Sequence, residues 1–310
     1  MDISFGYASV FLRGVPGQRI VRGTKTIHIC SSLPRPAKGY RGVARTIVLS
    51  DSRACGGKDN VRLLACDFDG TVFCKHSISE RDLLAIARWR AEGNLFGIVT
   101  GRGAGTLLAD LSRFPLEYDF LLCNNGALLL DSRANPVAER PLGIEMSRYL
   151  LDHEIREHCS SCALFAGSAM YVLEETGPWL NPVYTPSTLA VQKARDIDFL
   201  QISFGFRERT RSMAWGERLQ ADVAGKAQVQ CSLSVADVTA RGVGKATGIA
   251  WALDALCLSP GNILTVGDDG NDREMLAAYD GYAMEGADRD VLAAAGKSTA
   301  SIADLVEQCL

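Results

Sequence analysis

The segment Leu63-Leu64-Ala65-Cys66-Asp67-Phe68-Asp69-Gly70-Thr71 places two carboxylates two residues apart at the end of an apolar run. Such a run, followed by Asp, Gly and Thr, reads as a buried strand entering a turn. Buried parallel strands deliver residues in this position to the ligand crevice at their carboxyl ends. Two anions held there repel each other unless a proton or a cation intervenes, so chemistry with a divalent metal is expected. Three further segments share the placement. Thr100-Gly101-Arg102 follows a second apolar run, Lys245 opens a helix after Gly242-Val243-Gly244, and Gly267-Asp268-Asp269-Gly270-Asn271-Asp272 closes a third run.

The residue types are complementary. Asp67, Asp268 and Asp272, with neighbouring backbone carbonyls, offer a hard oxygen site of the kind Mg²⁺ occupies. The Thr100 hydroxyl, the backbone N–H groups around Gly101 and the Lys245 ammonium would cradle a dianionic phosphoryl group. Asp67 can then attack phosphorus to form an aspartyl phosphate. Asp69 can protonate the departing alcohol, then take a proton from the hydrolytic water. Arg102 and Asn125 are further candidates for substrate contact.

Other patterns carry less. The 242–245 segment is not a P-loop, because Thr239 stands where the first Gly is required and Ala246 where Ser or Thr is required. Neither acidic cluster has the spacing of an EF-hand loop. His153, His158, Cys159 and Cys162 form a local group of zinc-ligand types. The plainer reading is a helix end with incidental thiols and exposed imidazoles.

The elements that must position these residues follow from periodicity and caps. A strand is expected over 61–68. Ser79 then caps a helix, with Asp82 as the partner in a capping-box variant and Ile78 stapled to Leu83. Gly93 ends that helix. A strand over 95–100, a helix over 104–113 and a strand over 120–124 follow. Alternation with short connections implies a parallel sheet of βαβ units. Residues 132–232 differ in texture, with a helical stretch over 144–157 and strand-like runs over 169–173 and 199–206. There Trp179, Tyr184 and Phe206 are expected in a core. Pro178, Pro182 and Pro186 mark an irregular passage, and 177–188 is the first candidate for a substrate-facing loop. Regular alternation resumes with a helix over 245–256, a strand over 262–266, a helix over 273–278 and a short strand over 281–284. The expected fold class is α/β: a Rossmann-like parallel-sheet core from 61–131 and 233–310, with an inserted α+β domain over 132–232.

At this point the chain resembles the haloacid dehalogenase superfamily of phosphatases. Asp67-Phe68-Asp69-Gly70-Thr71 matches its first motif, Thr100-Gly101-Arg102 is similar to the second, Lys245 to the third, and the segment from Gly267 to Asp272 to the fourth. Asn124-Asn125-Gly126-Ala127, Glu274-Met275-Leu276 and Tyr282-Ala283-Met284 are similar to the Cof-type branch, which carries a large α/β cap where the middle segment lies. The resemblance implies Asp67 as nucleophile and metal ligand. It implies Asp69 as acid/base with its carbonyl on the metal, and Asp268 as the third protein ligand. Asn271 and Asp272 would support metal-bound water and Lys245. Gly244 departs from the small polar residue usual before the third-motif Lys. The implied function is a Mg²⁺-dependent phosphatase of a small phosphorylated metabolite, a sugar phosphate or a phosphorylated cofactor. The alternatives are phosphoryl transfer of the phosphomannomutase type and, remotely, an inactive phospholigand-binding regulator.

Composition sets the outer bounds. The 310 residues are 47% hydrophobic and 22% charged, a globular balance. The net charge of −3 argues against a nucleic-acid partner, and no apolar run approaches the roughly 18–20 residues of a membrane span. Ten scattered cysteines in a chain of this size read as reduced thiols, hence a cytoplasmic protein; a monomer or homodimer is expected. Residues 1–60 stand apart, with ten Lys/Arg against three Asp/Glu and many Gly, Ser and Pro. An Arg-rich, acid-poor segment suits an organelle transit peptide. A poorly ordered extension or an overextended start suits it as well, and poor order is the expectation.

Overall fold

A computed structural model describes residues 3–5, 8–10, 61–179 and 183–310. The chain separates into two units, 1–57 and 58–310. In the first, β1 (Ile3–Phe5) and β2 (Ala8–Val10) pair antiparallel. The rest of the expected N-terminal extension lies outside the described residues.

The second unit begins with β3 (Arg62–Cys66), α1 (Glu80–Ala91), β4 (Leu95–Val99), α2 (Ala104–Leu111), β5 (Phe120–Cys123), β6 (Leu128–Asp131) and β7 (Pro136–Glu139). It continues with α3 (Ile144–Asp152), α4 (Ile155–His158), β8 (Ser161–Ala166), β9 (Ala169–Leu173), β10 (Ser187–Leu189), α5 (Val191–Ala194), β11 (Gln201–Gly205), α6 (Arg209–Asp222), β12 (Ala227–Ser232) and β13 (Val235–Ala240). It closes with α7 (Lys245–Ala255), β14 (Asn262–Gly267), α8 (Arg273–Ala278), β15 (Asp280–Met284), α9 (Arg289–Ala295), β16 (Ser298–Thr299) and α10 (Ile302–Cys309).

Eight strands form the larger sheet, in the order β16-β15-β14-β3-β4-β5-β6-β7. Neighbours are parallel from β16 to β5, and β6 and β7 add antiparallel. The order places β3 centrally, between β14 and β4. From Leu63 to Cys66 its sequence is apolar because both faces are buried. Leu64 and Cys66 pack with Ile86 and Trp89 of α1, Leu107 of α2 and Ile302 of α10. Leu63 and Ala65 pack on the opposite face with Ile249 and Ala252 of α7 and Met275 of α8. The Ser79 cap forms as its spacing predicts: Ser79 Oγ accepts from Asp82 N–H at 3.0 Å and donates to Asp82 Oδ2 at 2.6 Å.

The second sheet runs β10-β9-β8-β11-β13-β12, antiparallel throughout except for the β10–β9 pair. The expected boundaries at 131/132 and 232/233 are both displaced. β7 hydrogen-bonds to β6 and extends the larger sheet to Glu139, and β13 pairs along its length with β11 and β12. The alternating Ala236-Asp237-Val238-Thr239 suits an edge of either sheet, so only its pairing assigns it. One face of this sheet is apolar: Leu164, Ile202, Phe204, Ala236 and Val238 pack with Leu150 and Leu151 of α3 and Leu219 of α6. The other face presents Phe165, Gln201, Ser203 and Asp237 to the strand ends of the larger sheet across a cavity. Among the described residues no helix is long and apolar enough to cross a membrane.

Candidate active site

The four chemically active segments converge at the carboxyl ends of β3, β4 and β14 and the N-terminus of α7. Asp67 N–H donates to Val266 O at 2.8 Å, which carries the β3–β14 pairing one residue beyond the strand. The chain then turns at Gly70, whose φ of +80° is in the left-handed region. A Cβ there would also collide with the Asp268 carboxylate, so only Gly fits. Thr71 Oγ1 donates to Asp268 Oδ1 at 3.0 Å and fixes that side chain against the first loop.

Lys245 is 1% exposed and sits at the start of α7. Its Nζ donates to Asp67 Oδ1 and to Asp272 Oδ1, each at 2.6 Å. Asp272 Oδ2 accepts the backbone N–H groups of Asp268 and Asp269, at 3.0 and 3.1 Å. Both oxygens of Asp272 are therefore committed, and it acts as a brace between loop and lysine. Burial works against the Lys245 charge, but Asp272 and Asp67 more than offset it and raise its pKa. Burial pushes the Asp67 carboxyl well above the ordinary range, with repulsion from Asp272 and Asp268 adding to the effect and Lys245 opposing it. Burial, then Asp272, lifts Asp268 to about 6. One ammonium among three carboxylates leaves an excess of negative charge.

Ligating oxygens of Asp67, Asp268 and Asp272 lie within 4.8 Å of one another. With Asp272 tied down, Asp67 and Asp268 are the side chains left to hold a cation, and a divalent ion would offset the burial and the mutual repulsion that raise their pKa values. A hard, all-oxygen donor set suits such an ion. The zinc-ligand types His153, His158, Cys159 and Cys162 each have other partners, in keeping with the plainer reading of a helix end. His153 Nε2 lies 3.1 Å from Asp222, His158 stacks on Trp215, Cys159 donates to Arg156 O, and Cys162 is buried in the second sheet's core.

At the end of β4, Thr100 N–H donates to Leu122 O at 2.8 Å and Thr100 Oγ1 accepts from Arg102 N–H at 3.1 Å. Arg102, a candidate for substrate contact, lines the cavity with its guanidinium engaged on protein. Its Nε and Nη2 donate to both oxygens of Asp69 at 2.6 Å, and Nη1 donates to Asp110 at 2.6 Å. The guanidinium also lies over the stacked rings of Phe68 and Phe73. A bidentate pair of this kind fixes direction as well as charge, so Arg102 positions Asp69.

Asn125, the other expected contact, joins the two sheets. Its Oδ1 accepts from Asn271 Nδ2 at 3.2 Å, and its Nδ2 donates to Gln201 Oε1 at 3.1 Å and Asp237 Oδ2 at 2.9 Å. Gln201 Nε2 donates to Gly101 O at 3.1 Å and Ser203 Oγ at 3.0 Å, and Ser203 Oγ donates to Asp237 Oδ1 at 2.5 Å. Burial raises Asp237 to about 6 against these bonds and the Lys245 charge. Gln201, Ser203, Asp237 and Asp110 were not expected at the site. The sequence signal for the first three is the polar alternation in 201–203 and 237–239, which by itself reads as a solvent face. Of the residues in the 177–188 passage, Trp179 lines the cavity, whereas Pro182 lies outside the described residues. Phe206 lies in the second sheet's core, and Tyr184 packs beside Phe165 and Met170. The cavity holds about 520 Å³ between the sheets, with Asp67, Asp69, Thr100, Gly101 and Asp268 on one side.

A family model described as haloacid dehalogenase-like hydrolase matches residues 64–305. The chain belongs to the haloacid dehalogenase-like hydrolases. Solved structures share the fold at low identity. A HAD/Cof-like hydrolase from Plasmodium vivax is 19% identical over 81% of this chain and 95% of its own, with a TM-score of 0.70. The HAD subclass IIB sugar phosphatase BT4131 is 22% identical over 80% and 97%, with a TM-score of 0.67. A haloacid dehalogenase-like hydrolase from B. subtilis is 18% identical over 80% and 99%, with a TM-score of 0.68. No curated protein matches the chain by sequence.

Proposed function

We propose that the protein is a Mg²⁺-dependent phosphomonoesterase acting on a small phosphorylated metabolite through an aspartyl phosphate on Asp67. The observation that carries this reading is the buried Asp67–Lys245–Asp272 cluster opening, beside Asp268, onto the cavity. Asp67 and Asp268, with the Asp69 carbonyl, would hold Mg²⁺. When bound, the ion supplies charge that offsets repulsion between the nucleophile and the phosphoryl oxygens. Thr100, Gly101 and Lys245 would bind those oxygens.

An Asp67 carboxylate oxygen attacks phosphorus, and the bond to the alcohol oxygen breaks. Asp69 gives that oxygen its proton, for which it must exchange the Arg102 guanidinium for the leaving group. Asp69 then takes a proton from water, whose oxygen attacks phosphorus, releases inorganic phosphate and restores Asp67. Asn271 and Asp272 hold the loop and the lysine in register. The cavity volume falls in the roughly 300–1,000 Å³ range of small-molecule sites. Unpaired thiols at all eight described cysteines support a cytoplasmic setting.

A panel of phosphorylated metabolites assayed for phosphate release with Mg²⁺ tests the proposal. Asp67→Asn should lower turnover by roughly 10³-fold or more while keeping the fold, and near-normal turnover would remove Asp67 as nucleophile. With a hexose 1-phosphate, free phosphate supports hydrolysis, and hexose 6-phosphate would replace it with intramolecular transfer.

A further inference from the structure

The hairpin joining β12 to β13 turns in two residues, Leu233 and Ser234, between the paired Ser232 and Val235. Leu233 has a φ of +51°, a conformation that Gly and Asn accept in hairpin turns and a bulky apolar residue does not favour. Leu233 is also 64% exposed. Left-handed backbone and a bare apolar side chain are two local costs at one position.

The turn is nevertheless held in place. Asp269 Oδ2 accepts from Ser232 Oγ at 2.9 Å and from Leu233 N–H at 3.0 Å. Asp269 Oδ1 accepts from Arg209 at 3.1 Å, and Arg209 also donates to Asp288 at 3.0 Å. Asp269 belongs to the loop that carries Asp268 and Asn271, so the hairpin is seated against the wall of the candidate metal site. Leu233 lines the cavity there. Phe165 and Met170 line it from β8 and β9, on the other side of β11 and β13.

We propose that Leu233 is a specificity-determining contact, set by Asp269 to cover an apolar edge of the leaving group whose phosphoryl end lies at Asp67. This rests on the phosphatase reading and narrows it to phosphate esters whose organic part shows an apolar edge, rather than a fully hydroxylated one. The cost of exposing Leu233 is then offset only in the complex.

The test uses the full chain with Mg²⁺ and n-alkyl phosphonates from methyl to hexyl, which carry the dianion but no ester bond to cleave. Affinities are read by calorimetry. In the wild type each added methylene should improve affinity roughly threefold to fourfold. In Leu233→Gly the gain should fall to roughly twofold per methylene, with roughly tenfold weaker binding of the hexyl member and less than about twofold change for methylphosphonate. Glycine accepts the turn's φ, so the melting temperature should hold. Ser232→Ala, which removes one Asp269 bond, should weaken the hexyl member in the same direction. Parallel slopes in wild type and Leu233→Gly would overturn the assignment, as would failure of every phosphonate to bind. Divergent slopes in a protein that hydrolyses no phosphomonoester would keep Leu233 as a ligand contact and remove the phosphatase reading.

Discussion

Lys245 is the residue on which the site's electrostatics turn. It is buried between Asp67 and Asp272, and its removal leaves two carboxylates without their counter-charge. Breaking a buried pair from one side costs about 3–5 kcal/mol. Lys245→Met should lose stability on that scale in urea denaturation without metal, far more than a surface Lys substitution. Asp237 presents the opposite case. Its carboxyl is raised from 3.8 to about 6, so between those values the folded state binds the proton more tightly than the unfolded chain. Stability contributed by this group is therefore present at low pH and lost as pH rises through about 6, to the extent of roughly 3 kcal/mol. Asp237→Asn should be more stable than wild type at pH 8, by roughly 1–3 kcal/mol, and the difference should fade towards pH 4. Denaturation at the two pH values measures it.

At the scale of elements, strand ends set the site and turns keep it open. The Gly70 turn admits the Asp268 carboxylate only because no Cβ stands there. Gly70→Ala should strain a φ of +80° and push Asp268 aside. Displacing the support of a metal ligand typically costs about 10–100-fold in affinity, so the Mg²⁺ dissociation constant from calorimetry should rise by that factor. The 3₁₀ turn after β5 serves a similar purpose. Asn124 and Asn125 both have positive φ, a conformation Asn tolerates better than most residues. That geometry sends the Asn125 amide across to Gln201 and Asp237.

For the second unit as a whole, the unbalanced acidic cluster makes metal binding a stability term. An ion that binds only the native state adds RT ln(1 + [ion]/Kd), about 2.7 kcal/mol at a hundredfold excess over Kd. Mg²⁺ should therefore raise the denaturation midpoint of the wild type, and chelator should reverse the shift. In Asp268→Asn the shift should be largely absent. A wild-type midpoint indifferent to Mg²⁺ would mean that the three carboxylates are balanced by protons rather than by an ion.

The central strand, its flanking helices and the residues at its end could be read from the chain alone. These are local matters: a continuous apolar run needs two covered faces, Ser79 with Asp82 starts a helix wherever it occurs, and carboxylates after a buried strand imply a counter-charge. Asp67, Asp268 and Asp272 were legible for that reason, and the structure brings their oxygens within 4.8 Å of one another, with Lys245 bonded to two of them. Tertiary structure decided what each polar face meets. Alternation in β11 and β13 states that Gln201, Ser203 and Asp237 share a side, but not that this side is buried against Asn125 and Gly101. It likewise cannot assign β13 to a sheet, because hydrogen-bond pairing carries no mark in the strand's own residues. Arg102 lines the cavity yet gives its guanidinium to Asp69 and Asp110, since a guanidinium takes the carboxylates nearest in space. Those neighbours, like the hold of Asp269 on Leu233, exist only once distant segments have packed.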